Sequence, residues 1–101
     1  MKEVHRGRAA AYEALGDHER AVTDHTMLLY ILLRDVEAAA DKDPADRAEL
    51  LKETARAYLN RGTCHAARGR TDLARQDLQA AEKHRAEAQR STALRAAVRR
   101  P

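Results

Sequence analysis

The side chains to test first for chemistry are Cys64 and the histidines His5, His18, His25 and His65. A thiol or an imidazole acts as nucleophile or base only with a partner held at workable spacing. No histidine stands three residues after a glutamate, so the Glu-x-x-His pairs that hold carboxylate-bridged metals in helical bundles are missing. Cys64 and His65 are adjacent, but neighbours on a helix point about 100° apart and do not readily share one ion. His25 and His65 fall in apolar register and read as hydrogen-bonded core residues, and Cys64 reads as a small residue in or near the core. Four scattered glycines make no phosphate-cradling loop. The expectation is a protein that is not an enzyme, with no catalytic residues, no metal and no cofactor.

Nucleic acid is not the expected partner. The aromatic residues are Tyr12, Tyr30 and Tyr58, each in an inward helical register, which leaves no platform for stacking bases. A helix-turn-helix around Arg68-Gly69-Arg70 would present Arg75 and Gln76, but Asp72 and Asp77 would face the same phosphates. Residues 83–101 carry six basic groups against Glu87 alone, while residues 1–82 carry a net −2. Arg85, Arg90 and Arg95 advance in steps of five, about 140° each on a helix, so they wrap around it and form no stripe. A small helical protein binding nucleic acid or an anionic surface through residues 83–101 is the alternative function.

The elements that must position these groups follow from composition and period. Of 101 residues 22 are alanine, Leu, Ile and Val together number 16, and Phe and Trp do not occur, so the core is thin and the chain all-α. The apolar spacing predicts four helices in two antiparallel hairpins, at about 3–15, 17–41, 44–68 and 71–96. The arrangement is either a stacked pair of hairpins or a four-helix bundle. Val4, Ala9, Tyr12 and Leu15 face inward on the first helix. The wide stripe from Ala21 to Ala40, including Leu28, makes the second helix the central one. Asp43 caps the third helix with Pro44 at its first position. Leu73, Ala74, Leu78, Ala81 and Ala88 mark the inner face of the fourth. Residues 1–96 form one domain, and residues 97–101 a frayed basic tail. One cysteine, the polar start Met1-Lys2-Glu3 and a longest apolar run of seven residues predict a cytoplasmic protein with no membrane span.

An internal repeat emerges when Gly16 is placed on Gly69, a shift of 53 residues. Ala9 then falls on Gly62, Tyr12 on His65, Ala21 on Ala74, His25 on Leu78 and Leu28 on Ala81. Small residues on facing helices let two backbones approach, and a larger side chain one turn away fills the space beside them. The second copy, Ala55-Arg56-Ala57-Tyr58-Leu59-Asn60-Arg61-Gly62 followed by Gly69-Arg70, Ala74, Leu78 and Ala81, resembles the tetratricopeptide repeat family. The first copy resembles it through Ala9, Tyr12, Leu15-Gly16-Asp17 and Ala21, and the two blocks cover residues 3–29 and 55–86. The family repeats about every 34 residues. The longer interval here requires extended second and third helices, and Ala86 stands where the family has proline.

The resemblance implies a groove on the first helix of each hairpin that holds a peptide or a partner helix. Carried over, its groove-facing positions are Arg56, Leu59, Asn60, Thr63 and Ala67 on the second copy, and Glu3, Arg6, Ala10 and Glu13 on the first. Asn60 can bond an extended backbone through both its donor and its acceptor, and Arg56 can pair with a carboxylate. The implied function is a non-enzymatic protein-protein interaction module or scaffold, with a protein or peptide partner. Two repeats with a thin core also suggest a homo-oligomer, because each unit leaves an apolar face uncovered.

Overall fold

The structure is a computed structural model that describes residues 1–99, without the side chains of Arg95, Val98 and Arg99. It contains four helices, α1 (Lys2–Ala14), α2 (His18–Ala38), α3 (Pro44–Ala67) and α4 (Thr71–Arg99), and no strand among the described residues. Helix α4 continues to Arg99, so the expected frayed tail begins as helix; residues 100 and 101 lie outside the described residues. No described helix is long and apolar enough to cross a membrane.

The turns form where the local chemistry requires them. Gly16 and Gly69 take φ +76° and +74°, a region that costs other L-residues about 1–2 kcal/mol. Each closes its helix with the same pair of backbone bonds. The Asp17 N–H donates to the Tyr12 carbonyl at 2.8 Å and the Gly16 N–H to Glu13 at 3.0 Å; 53 residues on, Arg70 donates to His65 at 2.8 Å and Gly69 to Ala66 at 3.0 Å. Asp17 caps α2 by accepting the Arg20 N–H, and Asp43 caps α3 by accepting the Ala45 N–H at 2.8 Å, with Pro44 at the first helical position. Helix α2 ends at Ala38, three residues before its predicted end. There the backbone tightens, the Ala40 N–H bonding to Glu37 and the Lys42 N–H to Ala39, before Pro44 holds Asp43 extended at ψ 126°.

Substantial packing runs between successive helices, α1 on α2, α2 on α3 and α3 on α4. The arrangement is therefore open and serial, and α2 shares the central position with α3. Leu28, Leu29 and Leu32 pack on Ala57, with Leu50 and Tyr58 at the edge. A second cluster joins Val36 of α2 to Ala48 and Leu51 of α3 and Ala88 of α4. Ala9, Ala21 and Ala81 are buried where helices cross, while Tyr12, Tyr58 and Ala74 are half-buried. Gly62 marks a close approach of α3 to α4: a Cβ there would lie 3.1 Å from the Asp77 Cβ and 3.3 Å from the Ala74 carbonyl.

The serial layout leaves several apolar side chains outside. Val4 and Leu15 of the first hairpin are 53% and 79% exposed, because α1 packs through its Ala9 face only and Leu15 lies beyond its last turn. Tyr30 is 71% exposed, on the side of α2 turned away from Leu28 and Leu29, so it is not inward as its register suggested. Leu73 and Leu78 are also open, Leu78 at 47%, since α4 turns its small residues and Asp77 to α3. The molecule measures 52 × 27 × 19 Å, with a radius of gyration of 14.9 Å against about 12.7 Å for a compact chain of this length. It exposes 6689 Å², roughly 1,000 Å² more than the scaling for compact monomers gives.

The turn geometry separates the glycines. Gly16→Ala and Gly69→Ala should each lower stability by about 1–2 kcal/mol. Gly7→Ala, inside α1 with open space around it, should raise it by roughly 0.5–1 kcal/mol. Urea unfolding midpoints of the three variants check this, and a uniform response would contradict the turn assignment.

Candidate functional site

Three groups of polar side chains are built at the helix crossings. The first two are related by the 53-residue shift. In α1, Arg8 faces Asp24 of α2, its Nε donating to Oδ2 at 2.9 Å and its Nη2 to Oδ1 at 2.7 Å. In α3, Arg61 faces Asp77 of α4 in the same way, at 2.8 and 2.6 Å. Both carboxylates are buried, and such two-pronged pairing satisfies a carboxylate that could not otherwise leave water. A histidine stands beside each: His5 Nδ1 lies 3.2 Å from Asp24 and His65 Nε2 lies 3.7 Å from Asp77. The Arg8 hydrogen bonds hold the Asp24 carboxyl below the usual carboxylate range despite its burial. Burial pushes the His65 imidazole down. Arg61 also lies over the Tyr58 ring and reaches Thr26 Oγ1 on α2 at 3.2 Å, so the second clamp touches the first hairpin.

The third group is a seam. Glu13 of α1 meets His25 of α2, Oε1 to Nε2 at 2.5 Å, and accepts a hydrogen bond from the Cys64 thiol of α3 at 3.4 Å. His25 and Cys64 are buried and Glu13 is partly exposed. Burial and the neighbouring Glu13 push the Cys64 thiol up to about 12, so it carries its proton at neutral pH.

Above the seam, a cavity of about 420 Å³ opens between α1, α2 and α3. Its floor includes His25, Leu28 and Ala57, and its rim carries Arg6, Glu53, Arg56 and Asn60. Arg6 and Glu53 approach across it to 3.5 Å. No ion pair among the described residues uses Arg56. Of the residues assigned by resemblance, Arg6, Arg56 and Asn60 therefore share one groove. Leu59 and Thr63 do not join them: they line a shallow apolar depression on the α4 side with Gly62, Ala66 and Leu78. Their positions lie roughly 60–100° round α3 from Asn60. Glu13 sits in the seam and not on the groove wall.

Sequence reasoning missed both clamps and the seam. Arg8 and Arg61, and Asp24 and Asp77, stand 53 residues apart and would have appeared under the same shift as the glycines. The seam has no such signal, because Glu13, His25 and Cys64 stand 12 and 39 residues apart and meet only through the crossing of three helices.

Asp24 supplies a pH signature. Its folded pKa lies below the unfolded value of about 3.9, so its contribution to stability is present above about pH 4 and is lost as pH falls through the folded value. Unfolding midpoints measured from pH 6 to pH 2 should fall more steeply for the parent than for Asp24→Asn; parallel profiles would contradict the clamp. No family model, no curated protein and no solved structure matches the chain.

Proposed function

We propose that the chain is a non-enzymatic interaction module of tetratricopeptide-repeat type that takes an extended peptide segment of a partner protein in the groove between α1, α2 and α3. The observation that carries this reading is the rim of that groove. Arg56 offers a guanidinium that forms no ion pair with a described side chain, although Glu49 and Glu53 line the same groove, and one turn away Asn60 offers a donor and an acceptor on the same wall. The groove, of about 420 Å³, sets Leu28 and Ala57 among charged groups of both signs, a lining that suits a polar, extended segment.

The remaining geometry supports the same reading. The duplicated clamps make the two hairpins similar units, and the groove runs along the first helix of each. Arg6 and Glu53 bridge it through a long, exposed contact of a kind worth little, so an incoming segment can replace it at small cost. The surplus accessible surface is comparable with one partner's share of an ordinary interface, about 800 Å². The thiol of Cys64 keeps its proton at neutral pH and does not line the groove, which leaves no thiolate nucleophile there. Self-association belongs to the same reading, with Leu59 and Leu78 of the apolar depression as the surface for a second copy.

Peptides selected from a random displayed library test the proposal. Selected binders should lose about tenfold or more in affinity to Arg56→Ala or Asn60→Ala, the loss of one charge-assisted hydrogen bond or more, measured by fluorescence anisotropy. Arg85→Gln/Arg90→Gln should bind as the parent does. If the groove variants bind normally and the α4 variant does not, the basic segment 83–101 is the functional surface and the groove reading fails.

A further inference from the structure

We infer that Glu13, His25 and Cys64 form a binding site for one divalent cation of the zinc type, placed so that it ties α1, α2 and α3 together. The three donor atoms, one from each helix, lie within 4.8 Å of one another. A tetrahedral site with zinc bond lengths needs donor separations of about 3.3–3.8 Å. Cys64 and Glu13 already stand at 3.4 Å, and the 2.5 Å between Glu13 and His25 opens by rotation of the glutamate, the one partly exposed and flexible member. The two buried donors, His25 and Cys64, stand within 4.8 Å, so their side chains draw together by up to about 1 Å around the ion.

The donor set selects the cation. Thiolate, imidazole and carboxylate together favour zinc and its tetrahedral analogue cobalt over magnesium or calcium, which take oxygen ligands. Charge agrees with this choice: one thiolate, one carboxylate and a neutral imidazole cancel a divalent cation, which leaves a neutral centre in a buried seam. On binding, the thiol proton leaves to solvent and the sulfur lone pair forms the metal bond. His25 turns Nε2 to the Glu13 carboxylate, so that nitrogen carries the ring proton before binding. The Nε2 proton is lost as Nδ1 takes one up, the neutral ring then donates the Nε2 lone pair, and the net release is the one thiol proton for each cation bound. Three protein ligands leave a fourth position for water.

The fold also gives the site a role. Direct contact of α1 with α3 passes through polar side chains, Arg6 with Glu53 and Glu13 with Cys64, and α1 buries little more than Ala9 and His5. Small domains with so thin a core commonly depend on a metal or another cross-link. A cation at the seam would join the first hairpin to the second and hold the adjoining groove at a set width, since His25 belongs to both.

The test uses the full chain freed of metal with a chelator and then titrated with Co²⁺. The site predicts one cobalt per chain, tetrahedral d–d absorption, a thiolate-to-cobalt charge-transfer band, and bleaching of both by Zn²⁺. Zinc at about a hundred times its dissociation constant should raise the melting temperature by about 10 °C. Cys64→Ser and Glu13→Gln should each weaken cobalt binding by at least about a hundredfold, while His65→Gln, which faces Asp77 instead, should leave it within a few-fold. Absence of the charge-transfer band from the folded parent chain overturns the assignment whatever the variants do. So does cobalt binding that is unchanged in a folded Cys64→Ser variant.

Discussion

Two carboxylates, Asp24 and Asp77, are buried at the centres of the two hairpins, and each is held by an arginine on the facing helix. Much else in the structure depends on that arrangement. An alanine-rich interface brings backbones close but buries little apolar area per residue, at roughly 25 cal/mol for each Å². Such an interface is stable against separation only weakly and against sliding hardly at all. A guanidinium that donates two parallel hydrogen bonds to a carboxylate has one good geometry, so it sets the register of the helices it joins. The desolvation of the carboxylate makes a misplaced register costly, because an unpaired buried charge is among the most destabilising features a core can hold.

The two clamps differ in ways that shape the site. Arg8 is half exposed at the outer hairpin, whereas Arg61 lies deeper, stacks on Tyr58 and reaches Thr26 on α2. Gly62 stands where the first hairpin has Ala9 and leaves no Cβ between α3 and the Ala74–Asp77 turn of α4, and α3 buries more residues than α1 because it packs on both α2 and α4. The second hairpin thereby acts as the firmer half. The first is tied to it through the leucines of α2 and through the polar groups of Glu13, His25, Cys64, Arg6 and Glu53. The groove lies over this softer junction, where a bound segment or ion has most influence on the relation of the two halves.

Local signals were legible in the residues themselves. Gly16 and Gly69 mark left-handed turns, Asp17 and Asp43 with Pro44 mark helix starts, and the three-and-four spacing from Ala21 to Val36 marks the buried face of α2. Tyr30 and Leu78 were less legible because helical register says which side chains share a face but not whether a neighbour covers it. The same limit explains Leu59 and Thr63: a resemblance that places five residues of α3 on a groove cannot resolve a rotation of less than a third of a turn, and the crossing of α4 takes these two. Glu13, His25 and Cys64 belong to a third kind of feature. Their meeting depends on the lengths of α2 and α3 and on the angle at which α1 crosses them, none of which is encoded in the spacing of the three residues.

The central claim is that the chain is one clamped hairpin used twice. Paired double-mutant cycles on stability test it most directly, with Arg8→Met and Asp24→Asn in one cycle and Arg61→Met and Asp77→Asn in the other. The structure predicts coupling of the same sign in both, at least about 1.5 kcal/mol for Arg61 with Asp77 and somewhat less for the more exposed Arg8 with Asp24. Coupling below about 0.5 kcal/mol in both cycles would mean that the helices find their register without the clamps, and the account would be contradicted.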